Sequence, residues 1–272
     1  MNNPVVLDAC TIVNLARIDE NDFLEDRVKA LLHSHACELV MNEVKAHYVP
    51  SDKTSARQLH VAPYWGGLIK WDNDGINNLT DSLRDFINYR KKPNGELYSA
   101  ALSLFLSRGE KEKVQFYTDD HPAKQDFSPY FDFQQIGSIG DSVDLLVLLY
   151  WLSPKSVFSI DELKKYLTAL RGEYMLMLNG LQKHLNDYAA SMPSSKKDRN
   201  RKFMIEGLAN DLKGGMALSN VIKHCVKLFE SDSSAKGKRI MRILDHFKNT
   251  PEIVDKINAT IRNIIQYGIY KI

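Results

Sequence analysis

The chain is short of cysteine. It has three in 272 residues, Cys10, Cys37 and Cys225, too few and too scattered for a disulfide framework and without the paired spacing of a zinc site. It also lacks a long apolar run. The richest, Leu145 to Leu152, is flanked by Asp144 and Pro154 and falls far short of the roughly 20 apolar residues of a membrane span. The opening, Met-Asn-Asn-Pro-Val-Val-Leu-Asp, has neither the basic n-region nor the extended apolar core of a secretory leader. No Gly-rich loop that would cradle a phosphate occurs. These absences predict a soluble, cytoplasmic protein with reduced thiols and no membrane partner.

With 272 residues, 44% of them hydrophobic, the chain can bury more than one core, and two domains are expected, at 1–152 and 153–272. The sign of the charge changes between the halves. Residues 1–140 hold 15 Lys+Arg and 20 Asp+Glu, net −5, and residues 141–272 hold 21 and 14, net +7, which together restore the overall +2. A basic half beside an acidic one is what phosphate-backbone docking next to an acid-rich metal site would need. A basic helical surface that is merely solvated has the same composition.

Apolar patterning predicts an α/β first half. Val5-Val6-Leu7 reads as a buried strand ending in Asp8, and Ile12, Leu15 and Ala16 begin a helix. A second helix is expected from Asp22 to His33, a strand from Glu38 to Met41 and a further helix from Glu43. Residues 50–75 read as loops around a short helix at Ser55 to His60. Ile76, Leu79, Leu83, Phe86 and Ile87 mark an amphipathic helix. Pro93-Asn94-Gly95 introduces another, from Glu96 to Ser107. Strands are predicted at Val114 to Thr118 and at Phe131 to Ile136, then a helix from Asp141 to Trp151. Such alternation argues for a parallel sheet flanked by helices.

Beyond Ser159 only helices are expected. Ser159 and Glu162 form a capping box, and Leu163, Leu167, Leu170, Tyr174, Met177 and Leu181 give the long helix that follows a narrow apolar stripe for a partner helix. Later helices are predicted at Arg199 to Leu212, Ala217 to Glu230, Lys238 to Phe247 and from Thr250 to Tyr267, with Ser231 to Gly237 as a flexible linker. Two basic clusters stand in this half: Lys196, Lys197, Arg199, Arg201 and Lys202, and Lys236, Lys238 and Arg239 with Arg242. They are candidates for gripping nucleic-acid phosphates.

In a parallel sheet, residues just after a strand and residues opening the next helix gather at the carboxyl ends of the strands, where ligands bind. Asp8 follows the first strand, Glu43 opens a helix after the second, and Glu96 opens the helix before the strand that ends at Asp119 and Asp120. Singly, each acid also suits a turn or a helix cap. Together, they would repel one another unless a divalent cation neutralised them, and oxygen-only ligation suits Mg²⁺ or Mn²⁺. Such an ion can activate water and offset charge on a scissile phosphate.

Three stretches resemble the motifs of PIN-domain nucleases: Val5-Val6-Leu7-Asp8-Ala9-Cys10-Thr11-Ile12-Val13, Gly95-Glu96 with Ala100-Ala101-Leu102, and Tyr117-Thr118-Asp119-Asp120-His121-Pro122. The resemblance covers about residues 4–140. It implies a PIN-like catalytic domain that binds Mg²⁺ or Mn²⁺ and cleaves RNA. Asp8, Glu96 and Asp120 would be the metal ligands, Asp119 a neighbouring acid and Thr118 a supporting hydroxyl. The family's remaining acid falls at a slot held here by His47, with Glu43 one turn earlier on the same helix face, so either could reach the metal, and Glu43 is favoured because a carboxylate suits Mg²⁺ better. The resemblance also implies an endoribonuclease of the toxin–antitoxin or phage-defence kind, with a protein inhibitor or sensor, or a homodimer partner, for the helical region. Two other readings share the fold: a non-catalytic module that binds RNA or protein, and a DNA nuclease. Asp8-Ala9-Cys10-Thr11 is also similar to the phosphotransfer loop of dehalogenase-type phosphatases. That chemistry needs an acid where Cys10 stands, and Cys10 itself reads as a packed residue.

Overall fold

The computed structural model describes residues 4–47, 67–90, 92–193, 195–214, 218–246 and 250–267. The chain divides into two compact units, Met1–Tyr166 and Leu167–Ile272. The division falls later than residue 152 for a packing reason. Phe158 and Tyr166 belong to the aromatic core of the first unit, Phe158 lying edge-on to Phe23 at 5.3 Å and to Tyr150 at 5.9 Å, and Tyr166 stacking on Phe23 at 5.8 Å.

In the first unit the order is β1 (Pro4–Leu7), α1 (Ala9–Ile18), α2 (Phe23–Leu31), β2 (His33–Cys37), α3 (Glu38–His47), β3 (Ile69–Trp71), α4 (Asn77–Phe86), α5 (Gly95–Glu110), β4 (Val114–Tyr117), α6 (His121–Gln134), β5 (Gly137–Gly140) and α7 (Ser142–Leu152). The five strands form one parallel sheet in the order β3-β2-β1-β4-β5. Strand β1 is central, and its Val5, Val6 and Leu7 are almost wholly buried, as expected of a strand covered on both faces. The chain winds outward from β1 in one direction to β2 and β3, then returns to build β4 and β5 on the other side. That reversal opens a crevice at the carboxyl ends of β1 and β4.

Three segments differ from the sequence reading, the first being Ile69–Trp71, which forms β3 where loop was expected. The second strand is His33–Cys37, and Glu38 to Met41, expected as a strand, begins α3. Val40, Met41 and Val44 are buried at helical spacing, while Ser34 and His35 are buried polar residues of the strand. Trp71 of β3 donates its indole N–H to His35 Nδ1 at 2.9 Å, which satisfies one polar group of that strand. Phe131 to Ile136, also expected as a strand, is largely the end of α6, whose Phe127, Tyr130 and Phe131 face inward at helical spacing. The edge strand is instead Gly137–Gly140. A Cβ on Gly137 would stand 1.9 Å from the Val114 carbonyl oxygen at a φ of +155°, so only glycine lets β5 approach β4 there. The helix predicted at Ser55 to His60 lies outside the described residues.

The helical region comprises α8 (Ile160–Ala190), α9 (Lys196–Gly214), α10 (Leu218–Phe229), α11 (Ala235–His246) and α12 (Thr250–Tyr267). The first turns of α8 belong to the first unit, and its cap has Ser159 and Glu162 bonded reciprocally. Along α8, Leu163, Leu167, Leu170, Tyr174, Leu178, Leu181 and Leu185 are buried, an apolar stripe covered within the chain. The side chain of Met177 lies outside the described ones. Among the described residues, no helix is long and apolar enough to cross a membrane.

Candidate active site

The turn after β1 puts Asp8 at the mouth of the crevice, where it precedes α1 as its extended N-cap residue. Its amide donates to Tyr117 O (3.0 Å), which ties it to β4. Asp8 is 3% exposed. One carboxylate oxygen, Oδ2, accepts from the Cys10 thiol and the Thr118 hydroxyl, both at 3.0 Å. The other, Oδ1, is buried and has no hydrogen-bond partner. Burial pushes the Asp8 carboxyl up to about 6, with a smaller push from the charge of Glu43, against the lowering effect of its donors.

Glu96 lies in the first turn of α5, whose cap is Asn94. The Asn94 carbonyl oxygen accepts from Leu97 N (3.3 Å) and from the Tyr89 hydroxyl (3.0 Å), and its amide donates to Glu96 Oε2. Asn94 is therefore a clamp held at one end by Tyr89 and gripping Glu96 at the other. The Glu96 carboxyl is pushed up to about 8, first by burial, then by the charges of Asp8 and Asp120 and by a hydrogen bond to Asp120. Burial and the neighbouring negative charges thus favour the protonated form of Glu96. Asp120 caps α6, accepting from Ala123 N at 3.1 Å, and its own amide donates to Thr118 Oγ1 at 3.1 Å. The single hydroxyl of Thr118 thus supports Asp8 and the backbone of Asp120 together.

Glu43 of α3 reaches the same crevice, with Gly95 N donating to its Oε1 at 3.3 Å. A Cβ on Gly95 would stand 2.7 Å from Glu43 Oε2 and 3.1 Å from Val40 Cγ2, so the close approach of α3 and α5 depends on that glycine. His47 ends α3, and its side chain lies outside the described ones. Glu43 stands in the group, its charge acting on Asp8.

Asp119, expected beside the catalytic acids, is committed elsewhere. Its Oδ2 accepts from Asn14 (2.7 Å) and the Ser142 hydroxyl (2.6 Å), and its Oδ1 from Ser142 N (2.8 Å). The carboxylate latches α1, β4 and the start of α7. The same α7 is capped by Asp141, whose other oxygen takes the Lys124 ammonium. Sequence reasoning passed over Asn14 and Ser142. Asn14 is an 8%-exposed amide on the otherwise apolar face of α1, and a buried amide with that surrounding requires a partner. Cys10 is packed rather than reactive. Burial, and the charges of Asp8 and Asp119 after it, hold its thiol well above the usual range, so it stays protonated and donates to Asp8.

The donor chemistry of Asp8, Glu96, Asp120 and Glu43 is all carboxylate oxygen, and Asp8 Oδ1 is a buried acceptor without a donor. Both features fit a hard divalent cation such as Mg²⁺ or Mn²⁺. Among the described residues, no three His, Cys, Asp or Glu stand ready-made around one ion. The basic residues lie on the helical region, and Arg201 among them is already bonded to Asp232. No family model matches the chain, and neither a curated protein nor a solved structure matches it.

Proposed function

We propose that this chain is a metal-dependent phosphodiester hydrolase with a PIN-like catalytic unit, acting on RNA as an endoribonuclease. The observation that carries the reading is the unpartnered, buried Asp8 Oδ1 beside Glu96, whose carboxyl is held up by burial and by the charges of Asp8 and Asp120. Burial alone would be met by neutral side chains. Keeping several carboxylates in one crevice, at a cost in electrostatic repulsion, is explained by a cationic ligand.

Asp8, Glu96 and Asp120 would hold the ion, with Glu43 as the fourth acid. When bound, a divalent ion supplies Lewis acidity toward water and the phosphoryl oxygens. The chain's own part is positional. Thr118 keeps Asp8 Oδ2 engaged so that Oδ1 is the oxygen presented. Asn94 fixes Glu96 through its amide while α5 fixes Asn94. Glu96, its carboxyl raised to about 8, would have to give up its proton to hold the ion, so its deprotonation and ion binding are linked.

A second reading, a PIN-like module that binds without cleaving, draws on the Glu96–Asp120 contact, which neutralises part of the repulsion without any ion. Incubating single-stranded RNA and single-stranded DNA of the same sequence with wild type and Asp8→Asn, in Mn²⁺ and in EDTA, separates the possibilities. The proposal expects internal cuts in RNA by wild type in Mn²⁺ alone. Preferential cutting of DNA would move the substrate assignment, and equal behaviour of all arms would end the hydrolase reading.

A further inference from the structure

The two basic runs of the helical unit are distant in sequence and joined in space. Arg201, in the second turn of α9, donates to Asp232 Oδ2 at 2.9 Å and to Leu228 O at 3.3 Å. Its guanidinium stands 5.9 Å from the ring centroids of Tyr188 and Phe229. The Tyr188 hydroxyl bonds the same Asp232 oxygen, and Ser234 N donates to the other at 2.9 Å. Desolvation works against ionisation of Asp232, yet these hydrogen bonds and the Arg201 charge hold its carboxyl below the usual range. Of residues 231–237, expected as a flexible linker, Ser231 to Ser234 are thus an anchored turn and Ala235 to Gly237 open α11. Arg201 is consumed by the joint, and Lys202 faces Glu206 at 3.9 Å.

The remaining cations gather on the other side of that turn. Lys236, Lys238, Arg239 and Arg242 are exposed on α11, which has no acidic residue in its first turn. Lys236 and Lys238, in that turn, oppose the helix dipole, so local helix stability does not account for them. Lys238 and Arg242 are one helical turn apart and have no ion pair among the described residues. They line a 460 Å³ cleft together with Ser231, Ser233, Met241 and Glu230. Asp232 also borders this cleft, but Arg201 neutralises it. An ammonium, a guanidinium and two serine hydroxyls around one cleft are all hydrogen-bond donors, and the two formal positive charges outweigh Glu230. Phosphate diesters, with several acceptors on each group and a repeating negative charge, match such a set.

We propose that this cleft docks the phosphate backbone of single-stranded RNA, with Lys238 and Arg242 as its principal contacts. The identity of the polyanion rests on the nuclease reading above. The cleft itself does not.

The test uses the full chain in EDTA, so that binding is read without cleavage. A fluorescent oligouridylate is titrated with wild type, with the double variant Lys238→Glu/Arg242→Glu, and with Lys183→Glu as an exposed control on α8. Affinity of the double variant is expected to fall about tenfold or more, and the slope of log K against log salt to shrink by about 1.4, two contacts at about 0.7 each for a single strand. The control should match wild type. Lys238→Glu places an acid in the first turn of α11, where it suits the dipole, and Arg242→Glu alters an exposed position in mid-helix, so the melting temperature should not drop. Unchanged affinity in the double variant overturns the proposal, as does an equal loss in Lys183→Glu. Displacement of the RNA by polyglutamate of equal charge, as effective as unlabelled RNA, also overturns it and points to an acidic protein partner. Failure of the nuclease reading would appear separately, as absent cleavage by wild type in Mn²⁺ with RNA affinity intact.

Discussion

Replacing Asp8 with asparagine should make the metal-free protein less sensitive to a rise in pH from about 4 to above 6. The Asp8 carboxyl is raised from 3.8 to about 6, chiefly by burial. At 1.36 kcal/mol for each tenfold change in proton affinity, that difference corresponds to about 3 kcal/mol. The sign follows from linkage. A group whose folded pKa is raised contributes stability that is fully present below its unfolded pKa and is lost as pH rises through the folded value. The window therefore opens near pH 4 and closes above pH 6 for Asp8, and the carboxyl of Glu96, raised to about 8, extends the loss toward pH 8. Asparagine cannot ionise, but it leaves a buried amide N–H without an acceptor, a constant cost of about 1–3 kcal/mol. Only the pH dependence isolates the carboxylate. Urea unfolding in EDTA should show the stability of Asp8→Asn, relative to wild type, improving by about 3 kcal/mol from pH 4 to pH 8. Adding Mn²⁺ at pH 8 should stabilise wild type and leave the variant unmoved. Parallel pH profiles for the two proteins would refute the reasoning.

Gly95→Ala should push Glu43 aside, since the new Cβ would meet its Oε2 at 2.7 Å. Cleavage is expected to fall on the order of tenfold to a hundredfold while circular dichroism still reports an intact helix; undiminished cleavage would show that Glu43 is dispensable. Asp119→Ala strands the Asn14 amide and the Ser142 N–H and hydroxyl, so unfolding should be easier by about 2–3 kcal/mol. Mn²⁺ affinity should stay near wild type, and calorimetry finding it abolished would instead place Asp119 on the ion. Because Asp8 and Glu96 must lose protons at about 6 and about 8 to act as ligands, Mn²⁺ affinity should strengthen from pH 6 to pH 8. Titrations giving equal affinities across that range would count against these two acids.

The parts of the fold legible in the sequence are those where an apolar strand runs straight into an acid. Val5 to Leu7 before Asp8 and Val114 to Tyr117 before Asp119 mark the two central strands. Strand β2 escaped notice because His33-Ser34-His35-Ala36-Cys37 has no apolar run; tertiary packing and a bond from Trp71 hold it in the sheet. Strand β5 is two glycines around Ser138 and Ile139, chosen for close approach rather than propensity. The aromatic spacing of Phe131 and Phe133 imitates a strand, although Phe133 is 70% exposed on a helix. At the crevice, the acids were visible by their order along the chain. Their supports were not: Asn14 and Ser142 act on Asp119, which is distant in sequence, and Asn94, though near Tyr89 and Glu96 in the chain, shows its grip only once the helix cap is folded. Arg201 carries the charge of a phosphate contact, and only the fold reveals that Asp232 has already claimed it.

The central claim is that Asp8, Glu96 and Asp120 are ligands of one divalent cation. Anomalous diffraction from crystals soaked in Mn²⁺ above pH 8 tests it most directly. The account predicts one strong peak at about 2.1 Å from Asp8 Oδ1, the distance of a hard octahedral ion, with oxygens of Glu96 and Asp120 around it and their mutual hydrogen bond gone. A fully hydrogen-bonded Glu96–Asp120 pair with no peak beside Asp8, in crystals that bind Mn²⁺ elsewhere, would contradict it.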